Sequence, residues 1–525
     1  MGESAGGGGG GRDDADGSLT ARQPAAAATR YACVVALAVA IAQSTSPSPS
    51  AHAQSRDIPV HTPADLTRAL AAASPGDVIT LAPGTYTLPP KLAVTRPGTP
   101  DRPITVRAAT LGDALLRFVS TDGTYVEGFH VTAADWRFEN LDIEGDCADD
   151  SRCEHAFHIV GDAERTVIDG GRLHAFNAMI KGNGQDMGAA GGGWRWPDDV
   201  VIRDTEFFSP AGRKTSNPVT PIDVVGGRRW HVVGNFIHDH FKDGGDHISY
   251  AAFLKGNSRD GVFERNLVVC EMLHKGGIRL GLSFGGGGSS PDRICEDGTC
   301  SPEHQGGVMR NNVIAHCPAD VGIYLNEAKA TRIEHNTLYD TAGIDVRFAA
   351  SVADITGNLV QGRVRERDGG KARIVGTLQL SAADFRTWFR DPDGRDFALK
   401  DGSAIVDQAR TISGLIDDWC GNARDDARPD IGAFEYRDGR TCDTTGSPPR
   451  LAPPGPTPEP TVSSGPPTSS ATTMATSMAT STSTWTSTWP ATSTATATLT
   501  AIPTPIETAV PRARIALPWA MRVGR

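Results

Sequence analysis

The sequence predicts an all-β solenoid, a parallel β-helix, and three observations carry that expectation. The first is a returning phrase: an apolar residue, two variable residues, Asn, one residue, an apolar residue. It runs through Val232-x-x-Asn235-x-Ile237, Phe263-x-x-Asn266-x-Val268, Met309-x-x-Asn312-x-Ile314, Ile333-x-x-Asn336-x-Leu338 and Ile355-x-x-Asn358-x-Val360. The second is its spacing. Successive Asn residues stand 31, 46, 24 and 22 positions apart, and the last two match one coil of a solenoid, whose signature is self-similarity at a fixed period. The third is that composition shifts sharply on both sides of the repeats. One coil cannot bury its apolar face alone, so coils stack and the core runs along the axis. Asn suits a sharp corner because it tolerates left-handed φ/ψ and bonds locally through its side chain. These Asn residues are read as structural.

The elements follow in order. Tyr31 to Ala42 is an apolar run too short to span a bilayer. It follows Arg30 and ends before Ala51-His52-Ala53, so residues 1–53 read as a secretory signal peptide cut after Ala53. Residues 54–445 hold the β-helix domain. Thr62 as N-cap, Pro63 in the first helical position and Asp65 in the first turn open a helix. Leu66, Leu70 and the alanines through Ala73 form its apolar face, and Pro75-Gly76-Asp77 stops it. Such a helix covers the open end of a solenoid. Val78 to Leu81 reads as a strand with a turn at Pro83-Gly84, and coils continue through 104–108, 125–131 and 138–143. Residues 181–199 and 285–305 read as long loops, and long loops on one side of a solenoid build its binding face. Phe385, Trp388 and Phe389 are expected to cover the last coil, and Asp430 to Tyr436 to close the domain. Residues 446–511, rich in Thr, Ser and Pro, cannot bury enough surface to fold and read as a disordered linker or stalk. Residues 512–525 form a short basic-apolar tail.

A formal charge of −11 weighs against nucleic-acid binding and leaves room for an anionic glycan in a local basic groove. The sequence has no phosphate-binding loop, dinucleotide fingerprint or His-Glu-x-x-His zinc motif. Cleavage of the signal peptide would remove Cys33 and leave eight of the nine cysteines, an even number in an exported chain. Short separations suggest Cys147 with Cys153 and Cys295 with Cys300. Cys420 with Cys442 would clip the end of the solenoid, leaving Cys270 and Cys317 just after two successive Asn corners. The expectation is a secreted or cell-surface monomer without a transmembrane segment.

Two segments carry a family resemblance. One is Leu66 to Ser74, Pro75-Gly76-Asp77-Val78-Ile79, Gly84-Thr85-Tyr86, Gly98-Thr99-Pro100 and Pro103-Ile104. The other is Leu254-Lys255-Gly256-Asn257-Ser258 followed by Ile278-Arg279-Leu280-Gly281. Together they resemble the chondroitinase-B-like lyases (polysaccharide lyase family 6), which are right-handed parallel β-helices of the pectin-lyase-like type and include alginate lyases. The resemblance implies a catalytic Lys at Lys255 and a catalytic Arg at Arg279. Family members with calcium place two alternating Glu shortly before the Lys. This chain has Asp243-Gly244-Gly245-Asp246-His247 there, so Asp243 and Asp246 stand as the candidate calcium ligands, or as turn residues beside the glycines.

The chemistry can also be argued from the residues. Uronate glycans are cut by β-elimination when a base removes the proton α to the carboxylate and the oxygen on the neighbouring carbon departs. The carboxylate charge must be neutralised first, by Arg or a metal. A Lys flanked by cations has a lowered pKa and serves as base. Lys255, with Arg259, Arg265, Lys275 and Arg279 nearby in sequence, fits, and Lys255 and Arg279 could project from one sheet on successive coils. The segment is rich in His. His247 is a candidate acid or base, or a turn residue, while His240, Arg259, His274 and Lys275 are candidate substrate contacts. The expected function is a lyase acting on an anionic polysaccharide. A glycoside hydrolase and a non-catalytic, glycan-binding or adhesive solenoid are the alternatives.

Overall fold

The computed structural model describes residues 55–442 apart from 287–288, 290–293, 401, 426–427 and 438–441. The expected signal peptide, stalk and basic tail lie outside the described residues, as do two glycines of the 285–288 run.

Each coil visits three sheets in a fixed order. Val78–Leu81 leads to Gly84–Leu88 and then Lys91–Val94, after which the chain returns to Ile104–Ala108, parallel to Val78–Leu81. Repetition builds parallel sheets of twelve, eleven and ten strands, a right-handed parallel β-helix. Alternate residues of each strand point into the coil. In the ten-stranded sheet Phe129, Phe157, Ile180, Ile222, Leu282, Ile323 and Ile344 belong to one inward column and are fully buried. Burying each such side chain contributes roughly 1.5–3 kcal/mol.

The Asn phrase occupies the corner between the twelve-stranded and eleven-stranded sheets. Asn235, Asn266, Asn312, Asn336 and Asn358 are fully buried and form a ladder. The Nδ2 of each donates to the Oδ1 of the next at 2.9–3.0 Å until Asn358 reaches Thr377 Oγ1. The same Oδ1 accepts the backbone N–H of the preceding Asn, so the buried amides are satisfied. The left-handed residue is not the Asn, as the sequence suggested, but the one before it: Gly234, Arg265, Asn311, His335 and Gly357, with φ between 51° and 66°. That turn swings the Asn side chain inward.

The amino-terminal helix forms as expected over Pro63–Ala72, with Thr62 Oγ1 accepting the Asp65 N–H at 3.1 Å and Leu66, Ala69 and Leu70 buried. The carboxyl end departs from expectation. Phe385 and Phe389, in and after the helix Ala382–Trp388, lie in one apolar cluster with Leu267, Val313, Tyr339 and Leu359. They therefore cover the outer face of the eleven-stranded sheet over several coils, rather than the last coil alone, because that face carries apolar residues needing a cover. All four expected disulfides are present: Cys147–Cys153, Cys270–Cys317, Cys295–Cys300 and Cys420–Cys442, with Cα–Cα distances of 4.9–5.8 Å.

Candidate active site

Long connections flank the ten-stranded sheet on both sides. Residues 209–221 and 270–277 lead into strands Ile222–Val225 and Ile278–Phe284, while 184–200 and 285–307 lead away from strands Ile180–Asn183 and Ile278–Phe284. The two loops expected from sequence meet, since Trp196 Nε1 donates to Ile294 O at 3.2 Å. The first of them also contains an antiparallel pair, Gln185–Asp186 with Trp194–Arg195.

The outward residues of the ten-stranded sheet line up in one column. His130 is in register with His158, His158 with Lys181, Lys181 with Asp223, and Asp223 with Phe253. Lys255, two residues beyond Phe253 at the end of strand Ile248–Lys255, shares that face. It is half-buried. Its Nζ donates to Gly286 O at 3.1 Å and sits 4.7 Å from the centre of the Phe253 ring. Burial pushes the Lys255 amine below the ordinary lysine value; Lys181 adds to the effect, while Asp223 and Glu303 oppose it. Lys181 Nζ pairs with Asp223 Oδ1 at 2.7 Å. Beside this pair, Glu154 accepts from Asn217 Nδ2 at 2.5 Å. Burial and Asp223 push the Glu154 carboxyl up to about 6, against Asn217 and Lys181.

Other candidates lie elsewhere. Arg279 is on the strand next to Lys255 but in register with Ser249, at the opposite end. Six residues of strand separate the two positions, roughly 20 Å at about 3.3 Å per residue. Arg279 is 1% exposed. Its Nε donates to Gly276 O at 2.8 Å, its Nη1 to Cys270 O, and the guanidinium stacks over Phe241. A polysaccharide on the outer face would not meet it. His240 is fully buried, with Nε2 3.1 Å from Leu280 O. It too is packed away from any surface, which corrects its placement as a substrate contact. His274 Nε2 bonds Pro210 O at 2.6 Å, and its backbone N–H joins those of Met272 and Leu273 on the buried Asp239 carboxylate. Lys275 is exposed on the same loop. His247 is exposed in a turn at φ 58°. Asp246 accepts from Lys242 Nζ at 2.7 Å and from the Ile248 N–H, while Asp243 is exposed. Arg259 Nη2 donates to Asn257 Oδ1 at 3.2 Å, beyond the Lys255 end of the sheet. Of the expected calcium ligands, Asp246 is engaged in an ion pair and a turn, and Asp243 stands exposed beside it. Among the described residues, only Glu127, His130 and His158 bring three metal-ligating atoms together, all within 4.8 Å.

Sequence reasoning singled out Lys255 but not Lys181 and Asp223, whose charges reach it, nor Glu154 beside that pair. The cation flanking Lys255 was sought among its sequence neighbours, whereas Lys181 stands two strands away in the sheet. A signal was present in Ile180-Lys181-Gly182, Ile222-Asp223-Val224 and Ile344-Asp345-Val346, a second recurrent phrase with a polar residue facing out.

No family model matches the chain. Over 92 residues it is 36% identical to pectate lyase L of Dickeya chrysanthemi, covering 16% of this chain and 22% of that protein. The chain therefore matches about a fifth of that relative's length. Among solved structures, pectate lyase Pel9A aligns with a TM-score of 0.42 and 14% identity over 71% of this chain and 90% of that one. An alginate lyase from Paenibacillus sp. str. FPU-7 aligns with a TM-score of 0.35 and 17% identity over 62% and 96%. The topology defines a pectin-lyase-like parallel β-helix. In its matched segment the chain is similar to a polysaccharide lyase.

Proposed function

We propose that the chain is a secreted polysaccharide lyase that cleaves a uronate-containing glycan by β-elimination on the outer face of the ten-stranded sheet. The observation that carries this reading is Lys255: a half-buried amine, held below its ordinary pKa, on the outward face of the sheet with a second cation, Lys181, on the same face. The short match to a pectate lyase supports the reaction class and points to a pectate-type substrate.

In this reading the neutral Lys255 amine takes the proton α to the uronate carboxylate. The C–H electron pair becomes the new carbon–carbon double bond, and the glycosidic oxygen leaves with its bonding pair and takes a proton from the Lys255 ammonium or from water. Lys181 faces the carboxylate and takes the neutralising role that the resemblance assigned to Arg279. The depressed pKa keeps a larger fraction of the amine unprotonated near neutrality.

A second reading rests on a specific pair. Glu154, a carboxyl raised to about 6, stands close enough to Asp223 for the two charges to interact. One protonated and one ionised carboxyl group also form the acid and base of a glycoside hydrolase. The two readings part on product. Purified protein is incubated with pectate, alginate, chondroitin and heparin-type glycans while ultraviolet absorbance and reducing ends are followed. Elimination raises both; reducing ends without new absorbance would support the hydrolase and reject the lyase.

A further inference from the structure

We propose that Glu127, His130 and His158 form a binding site for a transition-metal dication of the Zn²⁺ type, at the far end of the outward column from Lys255. The inference concerns metal binding and stands apart from the lyase reading.

His130 and His158 are register partners on adjacent coils, so their imidazoles emerge side by side from a rigid sheet. Glu127 precedes His130 by three positions. In a regular strand residues three apart point to opposite faces. Gly128 between them breaks that rule with φ 55°, and a Cβ there would lie 2.0 Å from Ala156 O. A left-handed glycine, needed at this spot, brings the carboxylate round to the imidazoles. His130 Nδ1 then lies 3.3 Å and His158 Nδ1 3.5 Å from the same Glu127 Oε2. Neither nitrogen makes a hydrogen bond of good geometry, although both atoms are buried.

The His158 tautomer sharpens the argument. Asn183 Nδ2 donates to Gly184 O at 2.9 Å, which turns Asn183 Oδ1 toward His158 Nε2, also at 2.9 Å. Nε2 therefore carries a proton, and Nδ1 faces a carboxylate oxygen 3.5 Å away. Those two atoms need a cation between them, a proton on Nδ1 or a metal ion, and the second imidazole on the same oxygen favours the metal. An imidazole with its other nitrogen tied to an amide oxygen is the usual arrangement of a metal ligand. Two imidazoles and one carboxylate suit Zn²⁺ and its neighbours better than Ca²⁺, which takes oxygen ligands. Three protein ligands leave a position for water or an anionic oxygen. Lys91 Nζ bonds the same Glu127 oxygen at 2.8 Å, so the metal must displace it; nearly half of that side chain is exposed and can leave.

The test is titration of the full chain with Zn²⁺ against a chromophoric chelator, and with Co²⁺ by its visible absorption. One tight site is expected. His130→Gln and His158→Gln should abolish it without lowering the unfolding temperature in chelator. Asn183→Ala should weaken it about 10–100-fold, because Asn183 only positions His158. Lys91→Met should tighten it. Failure of the wild type to bind, or wild-type affinity in the doubly substituted His130→Gln, His158→Gln chain, would overturn the proposal whatever the glycan assays give.

Discussion

The paired strands 248–255 and 278–284 differ at their two ends. One end carries Lys255, half-buried on an open face with a carbonyl and an aromatic ring beside it. The other carries Arg279, fully buried and bonded to two backbone carbonyls of the loop that precedes it. In sequence the two cations look like one catalytic pair; in register they are six residues apart. A cation enclosed by its own loop holds that loop in place, whereas the half-buried cation at the other end of the same strands is the proposed base.

Substitutions can break this contrast. The largest stability loss should come from Arg279→Ala, which strips a buried cation from the 270–277 loop and from the neighbourhood of Asp239. A loss of roughly 3–5 kcal/mol is expected by chemical denaturation, with any activity falling only as the fold does. An Arg279→Ala protein of normal stability and no activity would return Arg279 to the active site. Asn312→Ala should follow at about 3 kcal/mol. It leaves the buried Asn266 backbone N–H and Nδ2 without their acceptor.

Glu154 predicts a pH effect of known sign. Its folded carboxyl holds a proton up to about 6 against an ordinary 4.5. Its contribution is therefore complete below about pH 4.5 and is lost as pH rises through 6. Stability should fall by about 2 kcal/mol across that window, and Glu154→Gln should remove this part of the slope. The smallest effect is expected at Asp246→Asn, an exposed residue whose replacement keeps an amide oxygen for the buried Lys242 ammonium. A loss of about 1 kcal/mol and no new dependence on Ca²⁺ would match its role in the ion pair; loss of a calcium response would revive it as a ligand.

The fold was legible because its rules are local and repeated. Each Asn corner needs only a two-residue turn and the same turn one coil later, so the phrase at Asn235 predicts the phrase at Asn266. The cap at Thr62-Pro63 and the four disulfides were readable for the same reason. The site was legible at one residue. Lys255 stands in a recognisable segment, but Lys181 and Asp223 reach it only through strand register, which depends on the lengths of the connecting stretches 184–221 and 226–247. The covering of the eleven-stranded sheet by Phe385 and Phe389 was missed because outward apolar residues such as Leu267 and Val313 look like core in a linear pattern.

The account turns on Lys255 as the base. The direct measurement is the ultraviolet absorbance of unsaturated product formed from pectate and alginate by the wild type and by Lys255→Ala, with unfolding temperatures recorded for both. Wild type should accumulate absorbance, faster as pH rises through the lowered Lys255 pKa. Lys255→Ala should be folded and slower by about 10²–10⁴-fold. A folded Lys255→Ala protein that eliminates at the wild-type rate would contradict it.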